Sequence, residues 1–132
     1  MTEPYSQTPL RGMIQTAPNP DPAYDYVVTL EGQIGTVSHS ETGLIVRYVP
    51  DRLVIDHESF MVYAREIGER NWPNLESLAV AIIEDINNEL VPRWVRVWIN
   101  GRAGDHARHQ AVIEDRQPQW KNEELLNGLE RY

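Results

Sequence analysis

The sequence predicts an α+β domain, an antiparallel four-stranded sheet in β-β-α-α-β-β order with two helices on one face. Three observations predict it. Runs rich in β-branched and aromatic residues come first, at Tyr26–Leu30, Gly43–Val49 and Arg52–Ile55. Two stretches with helical spacing follow without a strand between them, and a period-two run returns at Arg93–Ile99. Strands, then consecutive helices, then strands again indicate helices gathered on one side of an antiparallel sheet.

Taken along the chain, residues 1–23 hold five of the nine prolines mixed with Ser, Thr, Gln and Asn, and each proline removes a backbone donor. They read as a flexible arm ahead of a domain at 24–120. Pro50-Asp51 is a tight-turn signal between the second and third strand runs, which suggests a hairpin there. Phe60, Tyr63, Ala64 and Ile67 then recur at i, i+3, i+4, i+7, with Gly68 where a helix would end. Asn71-Trp72-Pro73-Asn74 breaks the chain. With Asn74 as N-cap, Leu75, Leu78, Ala79, Ile82, Ile86 and Leu90 form a second stripe, while Glu76, Glu84, Asp85 and Glu89 sit off it. Pro92 stops that helix. The next strand sets Arg93, Val95, Val97 and Ile99 on one face and Trp94, Arg96 and Trp98 on the other. Asn100-Gly101 reads as a turn, followed by a polar loop to Arg108 and a last strand around Gln110–Glu114. Residues 121–132 are a charged tail with room for a short helix.

Composition removes several function classes. With 132 residues and no Cys, the chain has no disulfide, thiolate metal site or sulfur nucleophile. A formal net charge of −8 and no Lys/Arg run argue against nucleic acid as a partner. Lys121 is the single lysine, the other eleven basic residues being arginines, so Schiff-base chemistry has one candidate, in the tail. No apolar stretch approaches the ~18 residues of a membrane span, and the first residues lack an apolar signal region, so a cytoplasmic location is expected.

A few side chains could carry chemistry. His106 and His109 stand at i, i+3, but two loop histidines without a third ligand read as solvated, and no metal is expected. His39 and Glu41 are acid/base candidates or simply part of a polar turn at 38–43. Trp94 and Trp98 flank Arg96 on one strand face, suited to stacking a heterocycle or to packing at a subunit interface. Glu76 falls in the first turn of the second helix, where the helix dipole alone favours an acid.

Arg47-Tyr48-Val49-Pro50-Asp51-Arg52, Ser59, Tyr63, Glu76 and Pro92-Arg93-Trp94-Val95-Arg96-Val97-Trp98, in this order, resemble the tunnelling-fold (T-fold) superfamily. Within it they are similar to the QueF family of NADPH-dependent nitrile reductases, over roughly residues 26 to 120. That family reduces 7-cyano-7-deazaguanine to the aminomethyl base in queuosine biosynthesis, using a cysteine nucleophile and an aspartate proton donor. The resemblance puts the cysteine position near Gln33 and the aspartate near Ser40. A Gln amide cannot add to a nitrile carbon, because its lone pair is delocalised. The family's cofactor signature falls on Asp56–Tyr63, where its two lysines are Glu58 and Met61, and a carboxylate in place of a cation opposes a phosphate. Of its Arg-Gly-Gly loop, Arg102-Ala103-Gly104 keeps the cation. The resemblance further implies that a buried glutamate anchors the purine or pterin edge, and this position is Glu76, preceded by Leu75 where the family has histidine. A carboxylate suits that role because it accepts two hydrogen bonds from neighbouring N–H donors.

Three functions follow as expectations. One is a homo-oligomeric protein that binds a deazaguanine, purine or pterin through Glu76, Ser59 and Arg102 without reducing it. The second is a diverged enzyme using His39 and Glu41 on a related heterocycle. The third is an inert scaffold. Since a four-stranded sheet leaves two open edges, self-association into a barrel is expected in each case.

Overall fold

The computed structural model describes residues 10–37, 40–103 and 107–129. Its main sheet has the antiparallel order β2 (Val28–Val37), β3 (Ser40–Val49), β5 (Trp94–Ala103), β6 (Ala107–Arg116). Between β3 and β5 come the short strand β4 (Leu53–Ile55) and two helices, α1 (His57–Gly68) and α2 (Leu75–Leu90). Both helices cover one face of the main sheet, α1 over β2 and α2 over β5 and β6. This is the α+β arrangement anticipated from the sequence.

Helix boundaries follow from local chemistry. The Asp56 side chain accepts from Ser59 N to cap α1, and Asn74 accepts from Ser77 N to cap α2. At the far end of α1, the Trp72 indole donates to Ile67 O, which also accepts from Arg70 N just past the helix. Both expected stripes are buried. They meet Leu30, Leu44, Val46, Tyr48, Val95, Val97 and Ile99 from the sheet in a single core. Asp85, expected off the stripe, is buried as well, because its position turns toward α1, where the Tyr63 hydroxyl hydrogen-bonds it at 2.5 Å.

The strands depart from the sequence reading in three places. β2 runs to Val37 instead of ending at Leu30, with a bulge at Ile34 and Gly35 at φ 85°. The extra residue shifts the alternation, so that Leu30, Ile34 and Val37 all face the core. Asn100-Gly101 is not a turn: both residues lie inside the ladder, opposite Gln110 and His109. Nor do the second and third runs form a hairpin. β4 instead pairs with β1 (Thr16–Pro18), making a separate two-stranded sheet.

That pairing corrects the flexible-arm expectation for residues 10–23. Leu10 and Ile14 are buried in the core, on either side of a short 3₁₀ turn at Arg11–Met13 that packs on α1 and α2. Apolar burial at two positions, together with strand pairing, outweighs the proline content. Residues 1–9 lie outside the described residues. The next segment is tied down by Arg93, which donates to Asp25 at 2.9 Å, Asp51 at 3.3 Å and the Pro22 and Tyr24 carbonyls. Asp25 also accepts from the Trp120 indole and Asn122, so the C-terminal segment joins the same network just before α3 (Glu123–Asn127). Among the described residues no helix is long and apolar enough to cross a membrane.

Candidate functional site

The strand register decides which candidate residues meet. Glu41, Arg102 and Arg108 occupy one row across β3, β5 and β6, and Thr42, Gly101 and His109 occupy the next. Neighbours across a ladder share a face. Thr42 is buried and lies on the same side as Leu44 and Val46, so the His109 row faces the helices and the Glu41 row faces away from them.

Glu76, in the first turn of α2, reaches this same end of the sheet from the helix side. Its Oε1 lies 3.2 Å from His109 Nε2, with both side chains more than half exposed. The anchor position is therefore solvent-facing in the single chain, not buried as the resemblance implied. His109, expected beside His106 in a loop, lies in β6 opposite Gly101, where the period-two pattern of Gln110–Glu114 continues back through it. His106 and His39 lie outside the described residues. Among the described residues, no group of three or more His, Asp or Glu is arranged to hold a metal.

Glu41 and Arg102 therefore share the end of the sheet with Glu76 but stand on its opposite face. Gln33 is on that helix-free face too, across from Gly43, and Ser40 is the first residue of β3, opposite Val37. Ser59 belongs elsewhere. It follows Ile55, whose N–H bonds the Tyr48 hydroxyl, and Tyr48 is seven positions from Glu41, about 23 Å along an extended strand. Within one chain, Ser59 and Glu76 therefore do not form a common site.

The segment Asp56–Tyr63 is occupied by structural work. Ser59 Oγ donates to Asp56 O and accepts from Gln15 N at 2.9 Å, and Asp56 N donates to Gln15 O. Tyr63 is inside the core, and Met61 packs over Gly32 of β2. No Lys or Arg lies between residues 56 and 63. The hydrogen-bonding groups are engaged by the N-terminal segment, and the first turn carries Glu58 instead of a cation, so these residues do not fit an NADPH phosphate.

On the helix-free face Trp94 is buried, with the Arg96 guanidinium 5.0 Å over its ring. Arg96 also pairs with Glu114 at 3.0 Å, and the Trp94 indole donates to the same carboxylate. Trp94 and Arg96 thus form a closed packing unit, whereas Trp98 is half-buried and borders an open depression with Glu31, Gln33, Gly43, Ile45 and Asn100. The alternation of Thr29, Glu31 and Gln33 against Leu30 and Gly32, ahead of the bulge at Ile34, is the sequence signal that places Glu31 on this face.

No family model matches the sequence. The chain is 27% identical over 113 residues to the NADPH-dependent 7-cyano-7-deazaguanine reductase of Syntrophus aciditrophicus, covering 81% of this chain and 80% of that protein. It is 26% identical to the reductase of the same name from Nitratidesulfovibrio vulgaris, covering 91% of this chain and 84% of the relative. Among solved structures, the apo form of the archaeosine synthase QueF-Like superimposes with a TM-score of 0.56 at 20% identity, over 67% of this chain and 91% of that one. The structural likeness bears on the fold, and the sequence relatives bear on the family. Together they support a QueF-like family member built on the tunnelling fold.

Proposed function

We propose that this chain binds a guanine-like heterocycle, a deazaguanine, purine or pterin, through Glu76, and that it does not carry out covalent nitrile reduction. The carrying observation is the position of Glu76: a carboxylate on the first turn of α2, open to solvent, with His109 on the neighbouring strand to orient it. Adjacent N–H donors on such a ring match the two carboxylate oxygens. The chain has no sulfur nucleophile, and Gln33 stands where the resemblance puts one. The Asp56–Tyr63 segment offers no cation for a cofactor phosphate. In this reading the ligand sits between protomers. β2 and β6 are ten-residue edge strands, and edge-to-edge pairing of copies would set His109 on β6 of one chain, and with it Glu76, beside β2 of another.

The test is thermal stabilisation by 7-cyano-7-deazaguanine, guanine and pterin. A ligand at a hundred times its Kd adds about 2.7 kcal/mol of stability, a readily measured rise in Tm. Glu76→Ala should abolish the rise while leaving the unliganded Tm near that of the parent protein. If no base shifts the Tm, the scaffold reading stands instead. NADPH oxidation dependent on the nitrile would overturn the non-reductive part.

A second reading, a diverged acid/base enzyme, draws on Glu41, which stands directly opposite Arg102 in the ladder with both side chains exposed. A carboxylate and a guanidinium side by side on an exposed face can exchange a proton with a substrate and hold its polar edge, which is what acid/base chemistry needs. Conversion of a bound base to a product of different mass, lost in Glu41→Gln, would select this reading.

A further inference from the structure

The C-terminal segment, residues 117–129, is fastened to the domain by side chains. None of its residues is buried, and none belongs to the apolar core or packs against it. Gln117 N donates to Arg93 O. Past that bond the backbone hydrogen bonds of the segment are internal, Trp120 N to Gln117 O and Leu126 N to Asn122 O among them. A segment that buries no apolar residue opens at much lower cost than the core it lies on.

The fastening side chains converge on two carboxylates. Asp25 accepts from the Trp120 indole at 3.1 Å and from the Asn122 amide at 3.0 Å, and Asp51 accepts from Gln117 at 3.0 Å. Arg93 pairs with both, at 2.9 Å and 3.3 Å, which keeps them charged and strong as acceptors. Arg116, the last residue of β6, lies 5.9 Å over the Trp120 ring and 3.3 Å from Glu123. Asp25 stands just ahead of Val28, the first residue of β2. The segment therefore joins the end of one edge strand to the approach to the other, at the end of the sheet away from Glu76 and His109.

We propose that residues 117–129 form a strap that opens and closes as a unit, latched by Asp25, so that the ends of β2 and β6 exist in a tied and a free state while the core stays folded. Asp25 is the latch because it takes the donors on both sides of Lys121, from Trp120 and Asn122. While they are bound, the chain around Lys121 cannot extend. On opening, Asp25 keeps Arg93 and loses both strap donors, and Arg116 keeps Glu114. The apolar contacts that hold the helices to the sheet do not involve the strap.

Lys121 is the single lysine and is exposed, so a lysine-specific protease reads strap opening at one bond. Its cleavage rate on the full chain follows the population of the open form. The test measures that rate at urea concentrations well below the unfolding midpoint. The parent should be cut far more slowly than a free peptide with the same sequence around Lys121. Its rate should rise only weakly with urea, because strap opening exposes little surface. Asp25→Asn should speed cleavage about tenfold, equivalent to ~1.4 kcal/mol in the opening equilibrium. Trp120→Phe, a change within the strap itself, should speed it severalfold and keep the weak urea dependence. The double variant should fall short of the product of the two effects, because both weaken the same hydrogen bond. The proposal is overturned if the parent is cut as fast as the free peptide, if its cleavage has the urea dependence of global unfolding, if neither variant changes the rate, or if the two effects simply multiply.

Discussion

The Tyr63 hydroxyl and the Asp85 carboxylate share a 2.5 Å hydrogen bond that joins α1 to α2 inside the core. Asp85 is 1% exposed, so its carboxylate depends on protein donors in place of water. Tyr63→Phe keeps the ring that packs 5.9 Å from Phe60 and removes the donor. Leaving a buried acceptor short of a partner should cost about 1–3 kcal/mol, read as a lower urea midpoint with an unchanged m-value.

Gly68 brings the end of α1 directly against Ile34 of β2. A Cβ on Gly68, the last residue of α1, would collide with the Ile34 carbonyl oxygen of β2, a backbone atom that cannot swing away. Helix propensity favours Ala over Gly by about 1 kcal/mol. The steric term has the opposite sign, and Gly68→Ala should destabilise the protein by about 1–3 kcal/mol net. Gly12→Ala is the control, since a Cβ there meets nothing within 4 Å, and it should leave the urea midpoint within about 0.5 kcal/mol of the parent.

The helices were legible in the sequence because a face buried against a sheet imposes a 3.6-residue period, which Phe60–Ile67 and Leu75–Leu90 display with a capping Asn74. The second half of β2 was not. Gly32, Gln33 and Gly35 dilute the β-branched density of a strand, and the bulge breaks the alternation. Asn100-Gly101 has the letters of a turn, but its partners Gln110 and His109 supply a ladder. β4 finds its partner 39 positions away, Ile55 against Thr16, which no local pattern announces. The location of Glu76 at the start of α2 could be read from the chain, while its neighbour His109 follows only from the β5–β6 register. The same holds for the depression beside Trp98. Glu31, Trp98 and Asn100 come from separated strands, and only the pairing of β3 with both β2 and β5 brings them together.

Asp25 makes stability pH-dependent at the acid end. Burial raises the pKa of its carboxyl, but hydrogen bonds from Asn122, Arg93 and Trp120, with the Arg93 charge, outweigh that and hold it below the ordinary 3.8. A depressed folded-state pKa contributes stability that is present above the unfolded value and is lost as pH falls through the folded one. The urea midpoint should therefore drop as pH is lowered below about 4. Asp25→Asn should be less stable than the parent at neutral pH, and its midpoint should fall less over the same acid range. Equal acid slopes for the two proteins would show that Asp25 is not the responsible group.

Val91 closes α2 in the left-handed region, at φ 46° and ψ 59°. A β-branched residue rarely adopts this conformation, because its Cβ crowds the following carbonyl at a cost of about 1–2 kcal/mol. Pro92 behind it prevents the helix from continuing, and the Val91 N–H still bonds Asn87 O, so the geometry is imposed by the chain path into β5. The Val91 side chain is 61% exposed and contributes little packing in return. Glycine reaches the same angles without the clash, at some cost in unfolded-state entropy. Val91→Gly should stabilise the protein by about 0.5–1 kcal/mol, seen as a higher Tm and urea midpoint, with Val91→Asn intermediate because Asn tolerates left-handed backbone. Val91→Ile keeps the branched Cβ and should give no gain, so a rise in that variant would trace the effect to side-chain packing instead of the backbone.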